Sequence, residues 1–285
     1  RTIVVNTYVG ARAVGAGYWH TLVVISNGSV VAFGRDDKGQ ATVPSGLTNV
    51  RAVSGGRDHS LALRADGTVV GWGDSTYGQT NVPPDLAGVA AISAGGFHNL
   101  ALRSNGTVCA WGYAFYNQTN VPSDLVDAMA VAAGNAFSLA LCSNGTVRAW
   151  GDNYYHQTEV PADLSNVVAI AAGFAHALAV RADGGVVMWG DTSQGQGTVP
   201  ASLTNAVAVA AGRAHSLAMT GIGRVVAWGT NDFGQATVPA AASNSLAVAS
   251  GYDHSLALKN DAPLIWNHPT NLVARPGTNV SFKLA

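Results

Sequence analysis

The chain has 285 residues, of which 48% are hydrophobic and 11% charged, and its formal net charge is −1. This length can bury a sizeable core, and the hydrophobic content excludes a disordered chain. The balanced charge argues against nucleic acid or an anionic membrane as a partner, and the lack of any run of about 18 apolar residues argues against membrane insertion.

The sequence repeats itself every 39 residues without insertion or deletion. An aromatic-glycine pair marks each unit, and a Val-Pro pair keeps the same step. Such a fixed period is typical of repeat architectures. The marker pairs are Phe33-Gly34, Trp72-Gly73, Trp111-Gly112, Trp150-Gly151, Trp189-Gly190 and Trp228-Gly229.

Each unit contains four short patterns typical of strands, which we name A to D. In the second unit they fall at residues 51–55, 59–64, 68–73 and 79–83. The proline that ends D suits an edge strand, where a missing N–H does no harm. Between B and C, an Asn-Gly or Asp-Gly pair predicts a tight type I′ hairpin. These turns begin at Asn27, Asp66, Asn105, Asn144 and Asp183.

Four antiparallel strands per unit, with no helical period, predict an all-β fold, a seven-bladed β-propeller. Strands A and B occur seven times, and strand C occurs six times in full and once more weakly at residues 264–266. Counting back one period from residues 41–43 reaches residues 2–4, which we expect to form strand D of the seventh blade. This N-terminal strand would close the ring by pairing with the C-terminal strand, so that no edge stays open.

The repeats resemble those of the regulator of chromosome condensation family, as in residues 172–180 followed by Trp189-Gly190 and Gly195-Gln196. The short unit with Gln-Thr-x-Val-Pro is similar to the bacterial branch, which includes a secreted β-lactamase-inhibitory propeller. The resemblance covers residues 1–266 and implies the propeller fold; it also implies partner binding by aromatic loops. Residues 269–284 resemble the opening strands of an immunoglobulin-like domain. We therefore interpret residues 267–285 as a linker with the possible first strands of such a domain, and expect the natural chain to continue.

Several residue types recur once per unit and suggest a site at first sight. A histidine opens strand B in all units but the fourth, which has Phe137. No acidic or cysteine partner recurs beside it, so we expect each ring to bond a nearby carbonyl rather than a metal. We interpret the recurring glutamines as ties between the C–D loop and the backbone, and the tryptophans as core. The histidines are His20, His59, His98, His176, His215 and His254.

No unit combines a nucleophile, a base and an orienting group, so the sequence predicts no enzyme and no cofactor. Cys109 and Cys142 are too few for a disulfide framework, and we expect free thiols. The chain opens without a signal peptide, as a cytosolic protein or a mature secreted one would.

The A–B and C–D connections vary between units, whereas the B–C turns do not. In an up-and-down blade the two variable connections share one face, which is the layout of a binding surface. Blades three and four carry mainly aromatic loops, with Asp152 as their one charge, whereas blades one and two carry charged loops. The charged residues are Arg35, Asp36, Asp37, Lys38, Arg57 and Asp58. The candidate partner-binding residues are Tyr18, Trp19, Phe97, Tyr113, Phe115, Tyr116, Phe137, Tyr154, Tyr155, His156 and Phe174.

The sequence thus predicts a non-enzymatic binding module of a secreted or cell-surface bacterial protein, with a protein as partner. Two alternatives stay open: a lectin-like propeller that stacks a glycan on these rings, and a structural unit of a larger surface protein or filament. The sequence leaves the oligomeric state open. Nothing in it points to nucleotide exchange on a small GTPase, the activity of the family's founding member.

Overall fold

The protein is seen in a computed structural model that describes residues 2–5, 10–259, 263–266 and 282–284, with side chains described for 10–259. The described part is built from short strands and one 3-10 turn, Ala240–Ala242. None of its helices could cross a membrane. The strands are β1 Thr2–Val5, β2 Ala13–Ala16, β3 His20–Val24, β4 Val30–Gly34, β5 Val50–Gly55, β6 His59–Arg64, β7 Val69–Gly73, β8 Val89–Ala94, β9 His98–Arg103, β10 Val108–Gly112, β11 Ala128–Ala133, β12 Phe137–Cys142, β13 Val147–Gly151, β14 Val167–Ala172, β15 His176–Arg181, β16 Val186–Gly190, β17 Ala206–Ala211, β18 His215–Thr220, β19 Val225–Gly229, β20 Ala247–Ser250, β21 Ser255–Leu258, β22 Pro263–Trp266 and β23 Phe282–Leu284.

Each repeat folds into an antiparallel three-stranded sheet whose strands follow in chain order. We number these sheets 1 to 6, from β2–β3–β4 to β17–β18–β19, and call the five-stranded sheet β20–β21–β22–β1–β23 sheet 7. The chain is therefore all-β, with the repeated sheets of a propeller. The predicted strands A, B and C correspond to the first, second and third strand of each sheet.

The predicted strand D is wrong in the repeats. Residues 79–83, the predicted strand D of the second unit, are not in a sheet. The N–H of Asn81 bonds the carbonyl of Gly78 at 3.0 Å, the N–H of Val82 bonds the carbonyl of Thr80 at 3.0 Å, and Pro83 has no N–H. Because these two donors are used within the loop and proline has none, residues 81–83 cannot donate to a ladder with strand C.

The predicted turn type is also wrong, since type I′ needs positive φ at both central residues. Only the glycine of each pair has it, as at Gly67 with φ 83°. The N–H of Gly67 bonds the carbonyl of Arg64 at 3.0 Å, and the Asp66 carboxylate accepts the N–H of Thr68 at 2.9 Å. This is a type I turn followed by a left-handed glycine. Gly223 of the sixth unit has φ 74° and makes the same turn without an Asn or Asp.

The core lies between successive sheets rather than within one. Leu22 of sheet 1 packs in one cluster with Val53, Ala62 and Trp72 of sheet 2. The indole N–H of Trp72 bonds the carbonyl of Gln40 in the preceding unit at 2.9 Å. The other repeat tryptophans make the same contact, so their predicted role in the core is confirmed.

Backbone hydrogen bonds link neighbouring sheets where strand A ends. Each joins an N–H of one A–B loop to a carbonyl of the next A–B loop around the array. The linking bonds are Tyr18 N to Gly56 O, Arg57 N to Gly96 O, Gly96 N to Gly134 O, Asn135 N to Gly173 O, Phe174 N to Gly212 O, Arg213 N to Tyr252 O and Tyr252 N to Tyr18 O. The A strands surround a cavity of about 280 Å³.

Strand β1 lies in sheet 7 between β22 and β23. It is antiparallel to both, and Ile3 pairs with Ile265 on one side and Leu284 on the other. The first of these pairings is the one predicted for residues 2–4. The predicted linker and immunoglobulin-like strands at 267–285 lie outside the described residues, apart from β23.

Candidate functional site

The A–B and C–D loops lie together on one side of the sheets, which we call the variable face. The first residue of each C–D loop bonds the A–B loop of its own sheet. Examples are Arg35 N to Trp19 O at 2.8 Å and Tyr113 N to Phe97 O at 2.9 Å. Two segments far apart within a repeat are thereby held as one surface.

Four rings form a channel cluster at this end of the central cavity: Tyr18, Trp19, Phe174 and Tyr252. The ring centroids of Tyr18 and Tyr252 are 4.8 Å apart, and those of Phe174 and Tyr252 are 5.8 Å apart. Tyr18, Phe174 and Tyr252 also line the cavity. Tyr252 was not among the sequence candidates, although it occupies the variable pair that follows the strand A glycine.

Tyr18 spans the cavity mouth. Its hydroxyl donates a 2.7 Å hydrogen bond to Oδ1 of Asn135, which belongs to sheet 4. Burial raises the pKa of Tyr18 above its usual value, and the nearby Tyr252 raises it further. The phenol therefore stays neutral and works as a fixed donor.

Five rings form a second group, the loop cluster: Tyr77, Phe97, Tyr113, Phe115 and Tyr116. Tyr113 is at its centre, with its centroid 4.6 Å from that of Tyr77 and 6.2 Å from that of Phe115. Phe115 is 74% exposed, whereas Tyr113 and Phe97 are half-buried beneath their neighbours. Tyr77 comes from sheet 2 and was missed, although it lies in a variable C–D loop.

Two arginines pack on these rings, and one of them, Arg57, connects the two clusters. The guanidinium of Arg57 lies 5.0 Å from the Phe97 ring centroid and 5.8 Å from that of Trp19. Arg35 lies 4.9 Å from the Trp19 centroid. The charged sector is thus part of the aromatic surface, and the expected division of the face into an aromatic and a charged half is less sharp than the sequence suggested.

Asp58 holds these arginines in place. Its carboxylate lies 3.4 Å from Arg57 Nε and 3.7 Å from Arg35 Nη1, and the residue is buried. Burial raises the pKa of Asp58, while both guanidiniums act to lower it. A similar pair, Arg213 and Asp253 at 3.2 Å, lies beside Tyr252.

Tyr154, Tyr155 and His156 form a third group on the loop of sheet 4. The rings of Tyr154 and Tyr155 meet edge to face at 4.9 Å, and Tyr154 is 80% exposed. Nδ1 of His156 lies 2.9 Å from Glu159, whose pKa is lowered chiefly by this contact. No described ring contact joins Tyr154 or Tyr155 to the other two clusters.

Phe137 is wrongly placed among the binding candidates. It is 0% exposed and opens β12, where the other sheets have a histidine. An added Cβ at Gly134 would lie 2.2 Å from this ring, so Phe137 fills the space against that glycine. The signal was present in the sequence, since Phe137 is in phase with the histidines.

The histidines also bind side chains across sheets, a partner that was not expected beside the carbonyls. Nε2 of His20 lies 2.8 Å from Ser60 Oγ, and Ser60 donates its own proton to Gln40 O at 2.8 Å. His20 therefore donates from Nε2 and is neutral. Burial lowers the pKa of His20 and His98 to about 3 and that of His176 to about 4. No group of three or more metal-ligating side chains occurs in the described residues.

The glutamine side-chain oxygens tie the C–D loops as predicted, whereas the side-chain nitrogen lacks a partner among the described residues in sheets 3 and 5, at Gln118 and Gln196. Gln79 accepts the N–H of Tyr77 at 2.8 Å and donates to Asp74 at 2.9 Å. In sheet 3, Tyr113 replaces the aspartate, and Nε2 of the buried Gln118 has no partner among the described residues. The loop cluster thus has its central ring where sheets 2 and 4 have a carboxylate that is hydrogen-bonded to this amide.

Three solved structures of similar shape have 18–21% sequence identity to this chain and therefore show the fold alone. Human WBSCR16 has a TM-score of 0.75 at 20% identity, over 90% of this chain and 88% of that chain. Prp20p from Saccharomyces cerevisiae, studied for its binding to Gsp1p and histones, has a TM-score of 0.73 at 18% identity, over 90% and 82%. The ectodomain of the Physcomitrella patens receptor kinase CR4 has a TM-score of 0.74 at 21% identity, over 93% and 75%.

No protein with a curated description matches the sequence. Six segments match the Regulator of chromosome condensation (RCC1) repeat: residues 11–40, 50–79, 89–118, 130–157, 167–196 and 206–235. They fall on the first six sheets and cover more than half of the chain. The chain therefore belongs to the RCC1 repeat family.

Proposed function

We propose that this chain is a non-enzymatic binding module that recognises a protein partner through the rings of its variable face. The observation that carries the proposal is the loop cluster, in which exposed Phe115 and Tyr116 pack against half-buried Tyr113, and Tyr113 packs against half-buried Phe97. Rigid aromatic side chains fixed by their neighbours are typical of interface hot spots. Protein binding also occurs in the family, since yeast Prp20 binds Gsp1p and histones and has been seen bound to Kap60.

The second part of the proposal is that the seven sheets are the blades of one closed seven-bladed propeller. Its support is the set of backbone bonds at the ends of the A strands, of which Tyr252 N to Tyr18 O at 3.1 Å joins sheet 7 to sheet 1. Thr21 and His254 add a side-chain contact of 3.2 Å between the same two sheets. A closed ring would hold the loops of distant repeats at fixed positions around one mouth.

We further propose that the module belongs to a secreted or cell-surface bacterial protein and that an immunoglobulin-like domain begins after residue 266. The support is the short unit with Gln-Thr-x-Val-Pro and the strand pattern that begins at residue 269; its last residues, 282–284, form β23 and pair with β1 in sheet 7. Detection of the natural protein in culture medium or on intact cells with an antibody tests the location.

The binding proposal is tested by capture of proteins from a surface extract, with the wild-type chain beside a triple variant. Phe115→Ala, Tyr116→Ala and Tyr154→Ala remove three exposed rings without touching the core. Each hot-spot ring contributes typically about 2 kcal/mol or more, so capture should fall by orders of magnitude while the melting temperature is kept.

The matched control removes exposed aliphatic side chains from outside the variable face. Met129, Val168 and Ile222 are all exposed there, and their change to Ala should leave capture intact. Equal loss in both triple variants would contradict the proposal. A glycan array run in parallel covers the alternative: sugar binding lost in the ring variant, without protein capture by the wild type, would favour the lectin-like propeller.

A further inference from the structure

The rings of the variable face differ in whether the chain itself provides a cation for them. Arg35 and Arg57 lie over Trp19, Arg57 lies over Phe97, and Arg213 lies over Tyr252. Every cation–π contact in the described part of the chain is therefore on this face, in sheets 1, 2, 3, 6 and 7. The most exposed rings, Phe115 and Tyr154, have no such cation among the described residues.

The loops that carry these uncovered rings contain no Lys or Arg. Residues 113–120 and 152–159 have Asp152 and Glu159 as their charges, with His156 as the one titratable base. The carboxylate of Asp152 accepts hydrogen bonds from Gln157 Nε2 at 2.8 Å and from the N–H of Tyr154 at 3.3 Å, and neither donor is a cation. Glu159 accepts from Asn153 at 3.0 Å and faces His156.

The variable face as a whole is also negatively charged. Its carboxylates outnumber its cations, and the arginines already face carboxylates of this chain: Arg35 lies 2.6 Å from Asp37, and Arg213 lies 3.2 Å from Asp253. The carboxylates of the face are Asp36, Asp37, Asp58, Asp74, Asp152, Glu159, Asp191, Asp232 and Asp253, and its cations are Arg35, Lys38, Arg57 and Arg213. The field at the uncovered rings therefore attracts positive charge.

We propose that the loops of sheets 3 and 4 receive arginine or lysine side chains of a protein partner, over Phe115 and Tyr154 and beside the carboxylates of Asp152 and Glu159. The partner would thus present a basic segment. The inference rests on the proposed protein binding and names the chemistry of the partner. Within this chain, Trp19, Arg57 and Asp58 already form an arrangement of a ring, an arginine and a carboxylate. The proposed contact is the same arrangement, with the arginine supplied by the partner.

The ring face attracts a cation through its quadrupole, and arginine also stacks on it as a plane. The carboxylates add attraction that salt screens. An arginine-bearing segment should therefore bind more tightly than a lysine-bearing one, and both should weaken as salt rises. A glutamate-bearing segment should be repelled.

The experiment uses fluorescent peptides of one length on a Gly-Ser background that carry Arg, Lys, Gln or Glu at the same positions. Fluorescence anisotropy with the full chain at low and high salt should rank them Arg, Lys, then Gln and Glu. The double variant Phe115→Leu and Tyr154→Leu keeps apolar side chains but removes the π faces, and it should weaken the Arg peptide about tenfold. Asp152→Asn with Glu159→Gln should weaken it similarly and flatten its salt dependence. The matched control is Asp85→Asn with Asp163→Asn, which removes two carboxylates outside the variable face and should leave affinity unchanged.

The inference would be overturned by equal affinity for the Gln and Arg peptides. It would also be overturned if the affinity for the Arg peptide were unchanged in both variable-face double variants. Failure of this inference can be told apart from failure of the proposed protein binding. If the Leu variant still captures the partner proteins that the triple Ala variant loses, the face binds protein by apolar contact, and only the basic partner is excluded.

Discussion

Phe137 and Ala177 pack in one core cluster at the place where neighbouring sheets put a hydrogen-bonded pair. In the preceding sheet, His98 Nε2 lies 2.9 Å from Ser138 Oγ, with the same separation of 40 residues. Both members of the polar pair are replaced together in the fourth and fifth units. Since a buried imidazole without its partner is costly, the joint replacement is what a real inter-sheet hydrogen bond requires.

The first prediction is a double-mutant cycle at this pair. Phe137→His alone should lower the free energy of unfolding by about 2 kcal/mol, because Nε2 would face a methyl group. Adding Ala177→Ser should recover about 1 kcal/mol, since the new hydroxyl accepts from the imidazole. Urea unfolding of the four proteins gives the coupling energy. Strict additivity would mean that the two positions do not form a pair.

The second prediction concerns acid stability. Burial lowers the pKa of His20, His59 and His215 to about 3, 4 and 3, whereas an unfolded histidine titrates near 6.5. Below pH 6.5 the unfolded chain binds more protons than the folded one, so stability is fully present above that pH and falls as the pH drops toward 4. Each buried histidine contributes about 1.4 kcal/mol per pH unit in that window.

Urea midpoints between pH 7.5 and pH 5 test this slope before the ordinary carboxyl groups titrate. The control is His98→Phe with Ser138→Ala, which copies the apolar pair Phe137 and Ala177 into the preceding interface. It should reduce the pH dependence of the unfolding free energy by the contribution of one histidine. The raised pKa of Asp58 opposes the effect, because a carboxyl that is protonated more readily when folded gains stability in acid. A midpoint independent of pH would contradict neutral buried histidines.

The third prediction concerns the bond across the cavity mouth. Tyr18→Phe removes the donor to Asn135 and should lower stability by about 1 kcal/mol. Since burial raises the pKa of Tyr18, the folded chain holds this proton above pH 10, where the unfolded chain releases it; stability from this group is lost as the pH rises further. In an ultraviolet titration, the phenolate absorbance of the wild type minus that of the variant reports Tyr18, and it should stay at zero until the protein unfolds. A normal phenolate signal would mean that the hydroxyl is open to water.

The fourth prediction tests the role of β1. Deletion of residues 1–6 removes the strand that pairs with β22 and should lower the melting temperature by several degrees, because the edge of sheet 7 is then exposed. Ile3→Pro is the milder variant, since it removes one N–H from the ladder. An unchanged melting temperature in both would contradict closure of a ring by the N terminus.

The sequence predicts the strands whose N–H groups bond a neighbouring strand, but not the segment whose N–H groups bond within its own loop. Strands A, B and C were identified within a residue or two, because alternating apolar residues must face the core between sheets. Strand D failed, although Val82 and Pro83 suggested an edge strand, because Asn81 and Val82 bond within their own loop. Hydrogen bonds of this kind leave no trace in hydrophobic pattern.

The sequence identified the loops that form the candidate site, but not the contacts between their residues. Variation among repeats identified the loops of Tyr113, Phe115 and Tyr154, whereas no sequence pattern showed that Arg57 bridges Trp19 and Phe97. Residues from different repeats meet there only because the sheets stand side by side. Phe137 was the converse error, since its phase with the histidines identified a framework position.

The last prediction sets stability against binding at Tyr113. Its position holds an aspartate in sheets 2, 4 and 5. The carboxylates of Asp74 and Asp152 accept Nε2 of the following glutamine at 2.9 and 2.8 Å, whereas Gln196 Nε2 has no partner among the described residues although Asp191 precedes it. Tyr113→Asp should give buried Gln118 its missing partner. A charge-assisted bond contributes about 1.5–3 kcal/mol, against about 0.5–1.5 kcal/mol for the lost ring contacts, so the variant should be about 1 kcal/mol more stable. The same change removes the centre of the loop cluster, so partner capture should fall about tenfold or more. Urea unfolding and capture measured on one preparation decide the matter. A less stable variant would mean that the rings support the fold, and a more stable variant that still captures its partner would remove the loop cluster from the binding site.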